Sequence, residues 1–152
     1  MDLRMAERQM EPGVVSLHGF LGQDQRSLEE ILKEDDELVR TLGSSHKALA
    51  EFMRRWTDVA LTGFGSPVRR GSIEAVIREV RGTMACPFGD RSDFRKGEIC
   101  LTDLESGERI VWTPLQIHMV GEHGFYEGKG SPYRLEPEEL LRFRGRVAED
   151  RP

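Results

Sequence analysis

The sequence has no long apolar run and few cysteines, and both features narrow the class of protein. A membrane-spanning helix needs about 20 consecutive apolar residues, and no stretch of this chain approaches that length. The N-terminal residues alternate charges where a secretion signal carries an apolar block. Cys86 and Cys100 are the two cysteines, and a reducing cytosol argues against a structural disulfide between them. We therefore predict a cytoplasmic protein without membrane contact, whose cysteines are thiols or metal ligands.

Length and composition predict one folded domain. The chain has 152 residues, of which 38% are hydrophobic and 32% charged. A chain of this length can bury a hydrophobic core without disulfide bonds, and its apolar content is too high for a disordered protein. We assign residues 1–152 to a single domain and expect residues 1–12 to form a flexible tail.

The net charge of −5 argues against a general nucleic-acid binder, but the charge is unevenly distributed. Residues 46–97 contain ten basic and six acidic side chains. This basic middle segment keeps a nucleic-acid-binding module open as one alternative, although arginines at these spacings more often pair with neighbouring acids. The arginines concerned are Arg54, Arg55, Arg69, Arg70, Arg78 and Arg81.

Two helices are predicted in the N-terminal part of the chain. Ser27 and Glu30 have the spacing of a capping box ahead of an apolar stripe that ends at Gly43. Ser44 or Ser45 caps a second helix with an apolar stripe that includes Trp56. Because the linker between them is short, we expect residues 27–61 to form an antiparallel helical hairpin.

Residues 72–145 are predicted to form a mixed α+β part. The apolar residues from Ile73 to Val80 follow helical spacing, which favours a helix although their β-branched side chains would also suit a strand. Residues 98–112 form two β-rich runs around a turn, which predicts a β-hairpin.

Two C-terminal helices complete the prediction. Thr113, Pro114 and Gln116 mark a helix start, and this helix should end between Gly121 and Gly124. A last helix begins at Pro137, and we expect it to end near residue 145. The predicted fold class is α+β: an N-terminal helical hairpin, a small antiparallel β-hairpin or sheet, and two C-terminal helices.

Four residues are candidate metal ligands: Cys86, Cys100, His118 and His123. Two thiolates and two imidazoles suit tetrahedral Zn²⁺. A hairpin followed by a helix with two histidines resembles the ββα zinc finger in its order of elements, and the resemblance covers residues 86–123. It implies a structural zinc. The finger family places its cysteines two to four residues apart, whereas thirteen residues separate them here.

Helix geometry places a condition on this site. Residues five apart lie about 140° around a regular helix, so we expect His118 and His123 to share an ion only if the last helical turn opens at Gly121. The alternative is a metal-free role, in which Cys100 is a small buried apolar residue within a strand and His118 belongs to the core.

Other functional candidates are weaker. The combination of His118, Glu122 and His123 suggests a metal-dependent hydrolase with Glu122 as the proton-handling residue, but metallopeptidase helices hold their histidines four residues apart. In the glycine-rich segment after Gly124, Lys129 and Arg134 are candidate anion ligands.

Our leading hypothesis is a non-catalytic cytoplasmic regulatory or accessory protein. It would act through contacts with a protein partner or a second copy of itself, with a structural Zn²⁺ as its one candidate cofactor. The hydrolase and the nucleic-acid-binding module remain the alternatives.

Overall fold

The order of elements in the structure is three helices, four strands and two helices. A computed structural model describes the backbone of residues 2–149 and the side chains of residues 2–147. The helices are α1 (Leu3–Gln9), α2 (Leu28–Thr41), α3 (His46–Leu61), α4 (Pro114–His123) and α5 (Pro137–Glu149). The strands are β1 (Val68–Arg70), β2 (Ile73–Met84), β3 (Phe94–Asp103) and β4 (Arg109–Trp112). The predicted α+β class is confirmed.

The four strands form one antiparallel sheet in the order β1-β2-β3-β4. Ile99 and Leu101 of β3 are paired with Trp112 and Ile110 of β4, which confirms the predicted hairpin. Its turn is held by Asp103, whose carboxylate accepts hydrogen bonds from the backbone N–H groups of Glu105 and Ser106 at 2.9 and 3.4 Å.

The prediction of a helix over residues 73–80 is wrong, because these residues form the first part of β2. Their burial alternates with a period of two: Ile73, Ala75 and Ile77 are buried, while Val80 is largely exposed. The strand pairs with β3 along most of its length. Backbone hydrogen bonds to a distant strand, together with the β preference of the branched side chains, therefore outweigh the helical spacing.

The N-terminal residues also differ from the expected tail, because residues 3–9 form α1. Asp2 caps this helix by accepting a hydrogen bond from the N–H of Arg4 at 2.9 Å. Ala6 and Met10, one turn apart, are buried against α2. Burial on this short apolar stripe stabilises a helix that would be marginal in isolation.

The helices at residues 28–41 and 46–61 lie where they were predicted, with Ser27 and Ser45 as their caps. Their main contacts are to other elements: α2 contacts α1 and α5, whereas α3 contacts α4, α5 and β2. A buried ion pair holds α2 to the chain after α4. Asp35 of α2 accepts from both terminal nitrogens of Arg134, at 2.6 and 3.0 Å.

Helix α4 lies between two apolar clusters. Ile117 and Val120 contact the main core, which is formed by α3, α5 and one face of the sheet. Leu115 and Met119 contact a smaller cluster that contains Cys86 and Phe88 from the connection between β2 and β3. His118 and His123 of the same helix face that connection, where both contact Asp90. Helix α5 extends to residue 149, beyond its predicted end near residue 145.

Candidate metal centre

The connection between β2 and β3 contributes two donor residues from one tight turn. The N–H of Cys86 donates to the carbonyl of Arg91 at 2.8 Å, and the N–H of Gly89 donates to the carbonyl of Cys86 at 2.9 Å. Gly89 has a φ of 83°, a left-handed conformation that glycine adopts without steric cost. The turn thereby brings Cys86 and Asp90 to the same side of the connection.

Helix α4 contributes the two histidines. The Nε2 atom of His118 lies 2.9 and 3.1 Å from the carboxylate oxygens of Asp90. The Nε2 atom of His123 lies 2.9 Å from one of the same oxygens. The two imidazole ring centres are 5.2 Å apart. Asp90 is therefore the residue on which both histidines converge.

The two histidines meet without the expected opening of the helix. Helix α4 is continuous to His123 and ends at Gly124, whose φ of 63° is the left-handed cap. Both rings use Nε2, the ring nitrogen farther from the backbone, and this reach compensates for their angular separation. Gly121 has another role: a Cβ there would lie 3.0 Å from the Cβ of Ala50, so its absence lets α3 and α4 approach closely.

Aromatic rings surround the two histidines. The ring of Phe88 stacks on that of His123, with centres 4.0 Å apart and planes 9° from parallel. The ring of Phe94 lies 4.7 Å from that of His118. These contacts restrict the rotation of both imidazoles and exclude water from one side of the cluster, which favours interaction with a cation.

The donor atoms of Cys86, Asp90, His118 and His123 all lie within 4.8 Å of one another. A tetrahedral Zn²⁺ with ordinary bond lengths to sulfur, nitrogen and oxygen would separate its ligand atoms by about 3.3–3.8 Å. The observed distances, from 2.9 Å between His123 and Asp90 to at most 4.8 Å, bracket that range. Side-chain movements of about 1 Å would satisfy it, so the group could hold a metal ion.

The electrostatics of the group favour an ionised Asp90 beside a protonated Cys86. Burial, and then the hydrogen bond to the Asp90 carboxylate, raises the pKa of the Cys86 thiol to about 12. Although burial alone would raise the pKa of Asp90, hydrogen bonds from Cys86 and His118 hold that pKa below its ordinary value. Cys86 is only 2% exposed. A buried, protonated thiol is a poor nucleophile, so this geometry does not favour cysteine catalysis.

The structure brings together three of the four sequence-predicted ligands and places Cys100 elsewhere. Cys100 lies on β3, where it pairs with Val76 and Val111 of the adjacent strands. Its Sγ accepts from the guanidinium of Arg109 at 3.3 Å. Asp90 takes the fourth position. The sequence signal that could have identified Asp90 is the spacing Cys-x₃-Asp within a segment that contains proline and glycine. A tight turn in such a segment brings residues four apart close together.

The other sequence-predicted candidates have separate locations. Glu122 is exposed and outside the group of four. The side chain of Arg134 is buried, and besides Asp35 it contacts Glu136 at 3.1 Å. Its donors are therefore engaged within the fold. Lys129 is exposed, and its backbone N–H donates to Asp24 at 3.0 Å. Of the two predicted anion ligands, Arg134 is therefore buried and paired with carboxylates, and Lys129 lies on the surface.

The basic middle segment is distributed over several elements. Arg69 and Arg78 lie on β1 and β2 and face acids of the neighbouring strands, with Arg69 3.6 Å from Glu74 and Arg78 3.3 Å from Glu98. Pairing of this kind partly neutralises the segment and weakens the charge-based argument for nucleic-acid binding.

Comparisons with protein-family models, curated proteins and solved structures found no match to this chain. Within residues 2–149, none of the helices combines the length and the apolar character that crossing a membrane requires.

Proposed function

We propose that this protein binds one Zn²⁺ through Cys86, Asp90, His118 and His123. The convergence of four donor atoms within 4.8 Å carries the proposal. One sulfur, one carboxylate oxygen and two imidazole nitrogens form a donor set that suits zinc better than Mg²⁺ or Ca²⁺, which prefer oxygen ligands. Each ligand also has a positioning contact, such as the ring of Phe88 against His123.

The proposed role of the ion is structural. Four protein ligands complete a tetrahedral shell and leave no position for substrate. Two ligands come from the turn at residues 86–91 and two from α4, so the ion would tie the β2–β3 connection to the helix. The protein would then be a non-catalytic regulatory or accessory protein of the cytoplasm.

A role in protein contacts is supported by apolar side chains that remain in water. Phe64, just after α3, is 95% exposed, and Leu61 in the last turn of α3 is 43% exposed. Contiguous apolar patches mark surfaces that bind another protein or a second copy of the chain, and we propose that these two side chains belong to such a surface.

Metal analysis of the purified protein tests the zinc proposal directly. We expect one equivalent of zinc per chain, and less than about a tenth of that in Cys86→Ser and His123→Ala, because each variant removes one ligand. Cys100→Ser is the matched control and should keep the full equivalent, since Cys100 lies outside the cluster. Wild-type protein that takes up no zinc from a buffered zinc solution would overturn the proposal. An equal loss of bound zinc in Cys86→Ser and Cys100→Ser would contradict the assignment of Cys86, and not Cys100, as a ligand.

A metal-dependent hydrolase is the second candidate, favoured by a cavity beside His118. This cavity has a volume of about 260 Å³, and its lining includes Arg54, Arg91 and Glu122. Asp90 is 39% exposed, so it is the ligand that a substrate could most easily displace. Chelation separates the two roles: unfolding on metal loss supports the structural role, whereas an intact fold that rebinds metal supports an open, exchangeable site.

A further inference from the structure

A second cavity lies outside the metal centre, between residues 15–20, strands β2 and β3, and the start of α4. Its volume is about 380 Å³, within the range of small-molecule sites. None of the four candidate metal ligands lines it. Its inner end is formed by Phe20, Leu115 and Glu127, all of which are buried.

The inner end combines apolar walls with an unusual carboxyl group. Glu127 has a φ of 68°, a left-handed conformation that is uncommon for residues other than glycine and that concentrates at functional sites. Its side chain accepts a hydrogen bond from the hydroxyl of Ser131 at 2.7 Å. A ligand carboxylate placed beside it would lose its water without gaining a cationic partner among Phe20, Leu115 and Glu127. The inner end therefore suits the apolar part of a ligand and not its anionic part.

The mouth of the cavity has the opposite character. Lys96 is exposed at the mouth and forms no ion pair with any residue that the structure describes. Arg95, the residue before it on β3, pairs with Thr83 and projects from the opposite face of the strand. The nearby Arg78 is paired with Glu98. The mouth therefore carries one uncompensated positive charge, which would attract an anion.

Apolar side chains extend from the cavity to its mouth. Leu17 is 78% exposed and Val80 is 49% exposed, and both line the cavity. An apolar chain that leaves the inner end would cover these side chains before its head group reaches Lys96. Burial of such surface in a complex is favourable.

The wall made by residues 15–22 is held by close backbone contacts. A Cβ on Gly128 would lie 2.2 Å from the carbonyl oxygen of Leu21, and one on Gly19 would lie 2.5 Å from that of Met10. The N–H of Gly128 also donates to the carbonyl of Phe20 at 2.8 Å. Because these contacts fix the wall in position, the cavity is largely preformed, as binding sites generally are.

We propose that this cavity binds a small amphipathic monocarboxylate. The apolar chain lies against Phe20 and Leu115, and the carboxylate lies at the mouth beside the Lys96 ammonium. This site is independent of the zinc proposal, because it shares no ligand residue with the metal centre.

Titration calorimetry with three probes of equal chain length tests the proposal. The probes are octanoate, octanol and octyltrimethylammonium, used below the concentrations at which they self-associate. We expect octanoate to bind saturably at one site and about tenfold more tightly than octanol, since its carboxylate would accept a charge-assisted hydrogen bond from Lys96. The cationic probe should bind most weakly. Equal affinity for octanol and octanoate, or no saturable octanoate binding, would overturn the proposal.

Variants locate the binding site. Lys96→Ser should weaken octanoate binding about tenfold and leave octanol binding unchanged. Arg81→Ser is the matched control, because Arg81 is an exposed arginine of β2 that does not line this cavity. Leu17→Ser should weaken the binding of both octanoate and octanol, since it removes exposed apolar surface without disturbing the core. Octanoate binding that resists Lys96→Ser, or that falls equally in Arg81→Ser, would show a nonspecific anion effect and overturn the proposal.

Discussion

Replacing Glu127 by glutamine should make the protein more stable at alkaline pH and leave it unchanged near pH 4.5. Burial raises the pKa of Glu127 from 4.5 to about 7, against the opposing effects of the Ser131 hydrogen bond and the positive charge of Arg134. Glu127 is 3% exposed, so its ionisation in the folded state requires a charge with little water around it. Glutamine has nearly the same shape, remains neutral and can still accept from Ser131.

The sign and size of the effect follow from proton linkage. Between pH 4.5 and 7 the folded state binds the Glu127 proton more tightly than the unfolded state, so the free energy of unfolding falls as the pH rises. The loss is complete above about pH 7. A pKa difference of about 2.5 units corresponds to about 3 kcal/mol. Glu127→Gln removes this loss, so its advantage over the wild type should grow from about zero at pH 4.5 to about 3 kcal/mol at pH 8.

Urea unfolding followed by circular dichroism at pH 4.5, 6, 7 and 8 measures the effect. With an m-value of about 1–3 kcal/mol per M, the unfolding midpoint of the variant at pH 8 should rise by about 1–3 M. Glu51→Gln is the matched control, because it removes a carboxylate from an exposed position on α3. A stability difference between Glu127→Gln and wild type that is the same at all four pH values would refute the argument, because it would show that the Glu127 carboxylate is solvated in the folded protein.

Three further substitutions test the packing around the candidate sites. Arg134→Leu should lower the free energy of unfolding by about 3–5 kcal/mol, because it leaves Asp35 as a buried charge without its partner. Adding Asp35→Leu should recover most of that loss, and a double variant less stable than Arg134→Leu would contradict the assignment. Thr113→Ala should cost about 1 kcal/mol in urea unfolding through loss of the α4 cap, and no measurable loss would show that the cap is dispensable. Gly124→Ala should lower the melting temperature, since its φ is 63° and its Cβ would lie 2.7 Å from Nε2 of His46. An unchanged melting temperature would contradict that steric argument.

The helix starts and the hairpin could be predicted because their determinants are close in sequence. Ser27, Ser45 and Thr113 each accept a hydrogen bond from a backbone N–H three residues later, so residue type and spacing are sufficient to identify them. The turn between β3 and β4 depends likewise on Asp103 and the residues that follow it. Hydrogen bonds between residues this close in sequence can form independently of how the rest of the chain folds.

The candidate metal site could be predicted only in part. His118 and His123 share one helix, and Cys86 precedes a proline and glycine turn, so these three residues stand out by type. Whether Asp90 or Cys100 joins them depends on the path of the β2–β3 connection. Cys100 is held in β3 by backbone pairing on both sides, which keeps it away from the end of α4.

Tertiary structure decided the remaining features because their partners lie far apart in the chain. Residues 73–84 form a strand through hydrogen bonds to β3, although their apolar spacing also suits a helix. Asp35 lies within a run of acids, yet it is buried because Arg134, 99 residues away, reaches it. The sequence by itself determined the local caps, turns and helix ends, whose hydrogen bonds close within a few residues. Only the folded chain decided strand pairing, ion-pair partners and the fourth donor of the metal centre, because these depend on contacts that form when distant segments meet.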